Sequence, residues 1–222
     1  MKATILRVIF ASLIASAILT ASSAYAGWDD EGKGGLLQAT SPLGGSINLW
    51  NCDDGAIAKW NHSNLTFKIV NSAGAQKQAV ESLRAGVLEW NRVKGPYALS
   101  EVTSGKADIT ISIVATLGSP DRLGTAYSQC VSGRTGTQWA KIEVVLTGLP
   151  AAGIQNLGAH ETGHALGLGH SDQTGDLMDP HYQKFVDGAV LICPSNLDVG
   201  ALKATRNPYR ISPLLWLALP IC

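Results

Sequence analysis

The sequence has no excess of charge of either sign. Lys and Arg number 17, Asp and Glu number 17, and the formal net charge is zero. A strongly basic nucleic-acid binder and an acidic disordered tail are both disfavoured on that balance. Charged residues make up only 15% and apolar residues 45%, which excludes an intrinsically disordered chain. Cysteine is scarce, at four in 222 residues, too few for a small scaffold packed by disulfides. No internal repeat is visible. What is present is room for one ordinary domain with a real core, and 24 glycines that promise many turns.

The two ends stand apart from that domain. Lys2 and Arg7 form a short positive region, Val8 to Leu19 is apolar and short for a bilayer span, and Ala24-Tyr25-Ala26 is a small-x-small cleavage signature. Residues 1–26 therefore read as a secretory signal peptide, and a secreted protein, extracellular or periplasmic, is expected. Export places Cys52, Cys130, Cys193 and Cys222 in an oxidising setting, where a bridge among the first three is expected and three pairings of four are open. Residues 27–55, rich in Gly, Asp and Ser without a sustained period, read as a loop-rich N-terminal extension or short pro-segment. Residues 211–222 are nearly all apolar but too short to span a bilayer as a helix, with Pro213 and Pro220 against helical order. They read as a tail packed on the body, touching a membrane surface or frayed. The domain proper is assigned to 56–210.

Within it, Leu65 to Val70 alternates as a half-buried strand does. Gln76 to Val93 carries Ala79, Val80, Leu83, Val87, Leu88 and Trp90 at helical spacing and ends before Gly95-Pro96. Ala107 to Val114 is a strand with Ile109, Ile111 and Ile113 on one face. A Gly/Ser/Thr-rich loop is expected from Thr116 to about Gln138, a strand at Ile142 to Leu146, and helices at Pro150 to Leu166 and Asn196 to Thr205. Helices and strands together make the class α+β.

Residues 160 to 170 read His-Glu-Thr-Gly-His-Ala-Leu-Gly-Leu-Gly-His and hold three of the chain's five histidines. On a helix His160 and His164 lie one turn apart on one face, so their imidazoles can share a metal. Glu161 flanks that metal, placed to bind a water rather than to ligate. Gly167 can adopt the left-handed conformation that ends a helix and turns the chain, bringing His170 to the same point. Three neutral imidazoles on Zn²⁺ leave a position open for water, the arrangement of a catalytic zinc site. A packing explanation would have to account for three histidines and a carboxylate on one small surface.

This segment resembles the metzincin pattern HExxHxxGxxH, and within metzincins it is most similar to the matrixins, the catalytic-domain family of the matrix metalloproteinases and their bacterial relatives. Ser171 follows the third histidine, and Leu177-Met178-Asp179-Pro180-His181-Tyr182 resembles the matrixin Met-turn. Pro180 stands where astacin-like and serralysin-like relatives place a Tyr. Weaker likeness extends over about residues 57 to 205: Trp60 to Val70 as first strand, the helix ending Glu89-Trp90-Asn91, and the strand 107–114. The resemblance implies a zincin-like domain with a twisted, mostly parallel sheet, an active-site helix, a second long helix and a small C-terminal subdomain. It implies Met178 as a packing base beneath the histidines, Pro180 and Tyr182 as pocket walls, and Asp198 as support for the Met-turn. It also implies Gly124, Thr125 and Ala126, within Leu123 to Tyr127, as an edge strand that pairs with extended substrate.

Two features depart from the family. The Pro-Arg-Cys-Gly latency switch is absent, and Cys52 in Asn-Cys-Asp-Asp is a poor match for it. The loop 116–138 contains no His, so one catalytic zinc and no structural zinc is expected; calcium through loop carbonyls and Asp121 has no specific support. The implied activity is that of a monomeric zinc endopeptidase acting on protein or peptide, with no nucleic-acid partner: a zinc-bound water attacks the peptide carbonyl and Glu161 is the general base. Two alternatives fit the motif: a secreted, zinc-stabilised binding protein without activity, and a hydrolase of a non-peptide amide. No G-x-S-x-G elbow appears and no cysteine has a nearby His in sequence, so a serine or cysteine nucleophile lacks support.

Overall fold

The computed structural model describes residues 37–41, 44–52, 57–119, 122–130, 136–181 and 193–206. The expected signal peptide, the apolar tail 211–222, Asp121 and Tyr182 lie outside the described residues.

A five-stranded sheet forms the body, its strands in the order Ala98–Glu101, Asn64–Asn71, Ile109–Ile113, Thr137–Val144 and Gly124–Cys130. Strand β3 (Asn64–Asn71) is followed by α1 (Lys77–Leu88) and a 3-10 turn (Glu89–Asn91). Then come β4 (Ala98–Glu101), β5 (Ile109–Ile113), β6 (Gly124–Cys130) and β7 (Thr137–Val144). Neighbours among β3, β4, β5 and β7 pair in parallel, while β6 runs antiparallel to β7 and forms the sheet edge. The alternation read from sequence is real: Ile109, Ile111 and Ile113 are buried, as are Leu65 and Phe67. The α+β class and the mostly parallel sheet stand as expected.

Helix α1 packs on α2 (Ala151–Ala165), which starts just after Pro150, a residue already at helical φ that needs no N–H there. Leu83 and Val87 of α1 and Ile154 and Leu157 of α2 lie in the same core. Nearly every position of α2 from Ile154 on is buried, so its small residues are a packing requirement and its polar residues need partners. Trp90 and Trp60 supply two clamps, their indole N–H groups donating to the carbonyls of Ala159 (2.8 Å) and Ala165 (2.9 Å).

Two expectations change. The long loop 116–138 contains β6, and β7 begins at Thr137, earlier than Ile142, because Gln138 and Trp139 face outward and blur the alternation. The loop-rich reading of 27–55 gives way, in its described part, to two strands, β1 (Leu37–Thr40) and β2 (Ser46–Leu49). They form an antiparallel sheet in the order β1-β2-β8 with β8 (Leu168–Ser171), the strand that carries His170. Helix α3 (Asn196–Arg206) closes the C-terminal part. Its start is a reciprocal cap: the Asp198 N–H donates to Ser195 Oγ (3.1 Å) and the Ser195 N–H to Asp198 Oδ2 (2.7 Å). Cys52 and Cys193 are both disulfide-bonded, as an oxidising setting predicts.

Candidate metal centre and its surroundings

The metal-binding reading depends on where each imidazole nitrogen points. His160 Nδ1 lies 2.7 Å from the Leu177 carbonyl and His164 Nδ1 lies 2.8 Å from the Leu168 carbonyl. A carbonyl oxygen only accepts, so both rings carry their proton on Nδ1 and present a lone pair at Nε2. Those two Nε2 atoms are 3.1 Å apart. Two lone pairs at that distance repel unless a cation lies between their lines. Tetrahedral zinc with ligand bonds of about 2.0–2.1 Å holds its nitrogens about 3.3 Å apart. The donor set therefore fits such an ion.

His170 completes the group. The ligand atoms of His160, His164 and His170 lie within 4.8 Å of one another, and among the described residues they form a group able to hold a metal. The ring of His170 lies 5.4 Å from that of His160 and 4.9 Å from that of His164. It reaches them because the chain turns at Gly167, whose φ is +107°, in the region that costs a residue with a Cβ. The Gly167 N–H donates to the His164 carbonyl at 2.9 Å, closing the helix. His160 and His164 are buried and His170 is partly exposed, so the site opens on the side of the third ligand.

Glu161 is 2% exposed, and its carboxylate lies against the backbone of Gly124, the first residue of the edge strand. A Cβ at 124 would overlap Oε1 and stand 2.5 Å from Cδ and 2.8 Å from Cγ. Sequence reasoning assigned Gly124 to substrate pairing and missed this contact, because the residues are 37 apart and no local pattern joins them. Thr125 and Ala126 are buried on β6.

Met178 is fully buried and lies under the helix: a Cβ at Gly163, between the two helical histidines, would stand 3.1 Å from its Cε. The turn that carries it is tied to β8 by the Ser171 N–H donating to the Met178 carbonyl at 2.8 Å. Asp198 is fully buried and lies near the charge of Asp176, two residues before Met178. Burial, and then the charge of Asp176, push its carboxyl well above the usual carboxylate range. Asp198 also caps α3, a signal legible in Ser195-Asn196-Leu197-Asp198. Asp179 accepts from the Gly175 N–H (2.7 Å) and from the backbone and ring of His181. His181 and Pro180 are exposed at the end of the turn, and Tyr182 lies outside the described residues.

Comparison with known proteins points the same way. Residues 142–201 match the family model for matrixins. The chain is 30% identical over 138 residues to matrix metalloproteinase-19 of Homo sapiens, covering 58% of this chain and 27% of that protein. It is 30% identical over 133 residues to human neutrophil collagenase, covering 56% and 28%. With stromelysin-1 of Equus caballus it shares 30% over 176 residues, covering 71% and 35%. This chain is related to the matrixins, a family of zinc metalloendopeptidases. The matched region spans about a third or less of the length of these relatives.

Proposed function

We propose that the protein is a secreted, zinc-dependent endopeptidase that cleaves extended peptide segments with Glu161 as general base. The observation that carries this is the pair of Nε2 atoms 3.1 Å apart, both facing away from locked Nδ1 protons, with a buried carboxylate one residue from His160. His160, His164 and His170 would hold the zinc, which when bound polarises a carbonyl and lowers the pKa of water. Glu161 takes the proton of the attacking water as the C–O bond forms. It then gives that proton to the amide nitrogen as the C–N bond breaks. The open main-chain edge of β6 offers N–H and C=O groups to a substrate strand, which gives affinity with little side-chain demand. Placing a carboxylate in a water-poor site costs stability. A zinc held only for folding has no use for it, and this favours catalysis over a binding protein without activity. Export is supported by the N-terminal cleavage signature and by the disulfide-bonded Cys52 and Cys193.

Incubation of the zinc-loaded protein with a quenched peptide library tests this. Cleavage should be abolished by a chelator, restored by zinc, and reduced at least 10³-fold in Glu161→Gln with zinc content unchanged, on the order of what loss of a positioned base costs. Persistent cleavage by Glu161→Gln would refute the base assignment. No cleavage by the loaded wild type would return the site to a binding role or to a non-peptide amide.

A further inference from the structure

We propose that Trp50 is a positioning residue for His164, and that residues 46–50 are a permanent wall of the metal centre rather than a leader that can be cut away. The inference rests on the metal reading of the three histidines but not on peptidase activity.

The indole of Trp50 lies flat on the His164 imidazole, ring centroids 5.4 Å apart and planes 9° from parallel. His164 meets His160 edge-on at 4.6 Å and is tethered by its Nδ1 to the Leu168 carbonyl. With those two restraints, the remaining freedom of the ring is a swing out of its plane, and a flat aromatic face blocks that motion. Trp50 is itself pinned on both sides of its backbone. Its N–H donates to the Gly167 carbonyl at 3.0 Å, and its carbonyl accepts from the Ala58 N–H at 2.7 Å.

The same short segment brackets the third ligand. Ile47 pairs with Ser171 and Leu49 with Leu168, and the register shifts between them, opposite Gly169 and His170. Asn48 packs on Gly169 so closely that a Cβ there would stand 2.8 Å from the Asn48 Cβ. At the far end, Ser46 donates its N–H (2.7 Å) and its hydroxyl (2.6 Å) to the Asp172 carboxylate, and the Asp172 N–H returns a bond to the Ser46 carbonyl at 3.0 Å. Residues 167 and 172 are thus held by 50 and 46, with His170 between them. An ordinary core tryptophan needs only apolar neighbours; this one faces a ligand ring in parallel while its flanking strand holds the other ligand's loop.

Zinc affinity of the purified full-length chain, measured by competition with a fluorescent chelator, tests the assignment. Trp50→Ala and Trp50→Leu should each weaken zinc binding about tenfold or more, the range seen when a partner that orients a metal ligand is lost. Leucine keeps the apolar bulk without the flat face, so it serves if the alanine variant fails to fold. Trp50→Phe should return affinity to within about threefold of wild type, the face being restored. Val87→Ala, a buried change in α1, should lower the melting temperature without moving zinc affinity. Mass spectrometry of the zinc-bound secreted form should find an N-terminus before Ser46. Any one of four outcomes overturns the proposal: wild-type affinity in Trp50→Leu, no rescue by Phe, an equal loss in Val87→Ala, or full affinity in a form that starts after Trp50. A chain that shows the expected zinc shifts and cleaves no peptide would sink the endopeptidase reading alone. A chain that cleaves peptides and is indifferent to Trp50 would sink this one alone.

Discussion

Gly124→Ala probes the reasoning about the site with the least disturbance, adding one methyl group on a strand that carries none of the three histidines. The new carbon would stand 2.5 Å from Glu161 Cδ and 2.8 Å from Cγ, where carbon atoms settle at about 3.5–4.0 Å. Relief needs a displacement of about 1 Å, shared between the carboxylate and β6. The strand is bound to β7 along its whole length, from Gly124↔Val144 to Cys130↔Thr137, so the side chain of Glu161 yields more readily. A misplacement of about 1 Å costs a positioned catalytic group roughly 10²-fold, or about 2.7 kcal/mol of transition-state stabilisation. The assay is kcat/KM on a quenched peptide, with zinc content measured beside it. Zinc should remain at one per chain while kcat/KM falls about 100-fold. The double variant Gly124→Ala/Glu161→Gln separates this from a bent substrate edge: with the base already gone, the methyl should cost little more. Activity within threefold of wild type in the single variant would refute the geometry, and a full further loss in the double variant would move the effect to β6.

Gly167→Ala forces a Cβ into a backbone at φ +107° and to 2.5 Å from the Ala58 carbonyl oxygen. A loss of about 2 kcal/mol is expected, a fall of about 4–8 °C in Tm by calorimetry, with weaker zinc binding; an unchanged Tm would contradict it. Asp108 is partly buried, which alone would raise its pKa. The backbone and hydroxyl bonds from Thr66 (2.7 and 2.8 Å), with His62 beside it, outweigh that and lower it. A carboxyl whose folded pKa is depressed adds stability above its unfolded pKa and loses it as pH falls through the folded one. Asp108→Asn should therefore reduce stability near neutrality and flatten its decline below about pH 4, as urea unfolding across pH would register.

Local chemistry made the candidate metal centre legible. The four-residue spacing of His160 and His164 is a helix property, and the turn at Gly167 is a glycine property, so both could be read without a partner in view. The long helix and the isoleucine strand were legible for the same reason, since each repeats its pattern over enough residues to show a period. The sheet β1-β2-β8 was not. Its strands are four residues each and supply only one or two inward side chains, such as Ile47 and Leu49, and their partner lies about 120 positions away. The edge strand β6 was reached only through family resemblance, because Gly124 to Gln129 mixes buried and exposed positions without clean alternation.

The Nδ1 atoms of both helical histidines end on main-chain carbonyls, those of Leu177 and Leu168, rather than on side chains. Substituting a side chain removes no such acceptor; only a backbone movement does. The two carbonyls belong to one hydrogen-bonded unit, since the Ser171 N–H on β8 donates to Met178, the residue after Leu177. That unit is braced on one side by Asp176 against the buried Asp198 of α3, and on the other by Ser46 and Trp50. Ligand geometry is therefore set by how β8 and the Met-turn sit between an N-terminal strand and a C-terminal helix. Residues that touch no metal, at positions 46, 50 and 198, should influence zinc affinity more than exposed neighbours such as Pro180 and His181, which lie closer in sequence to the turn itself.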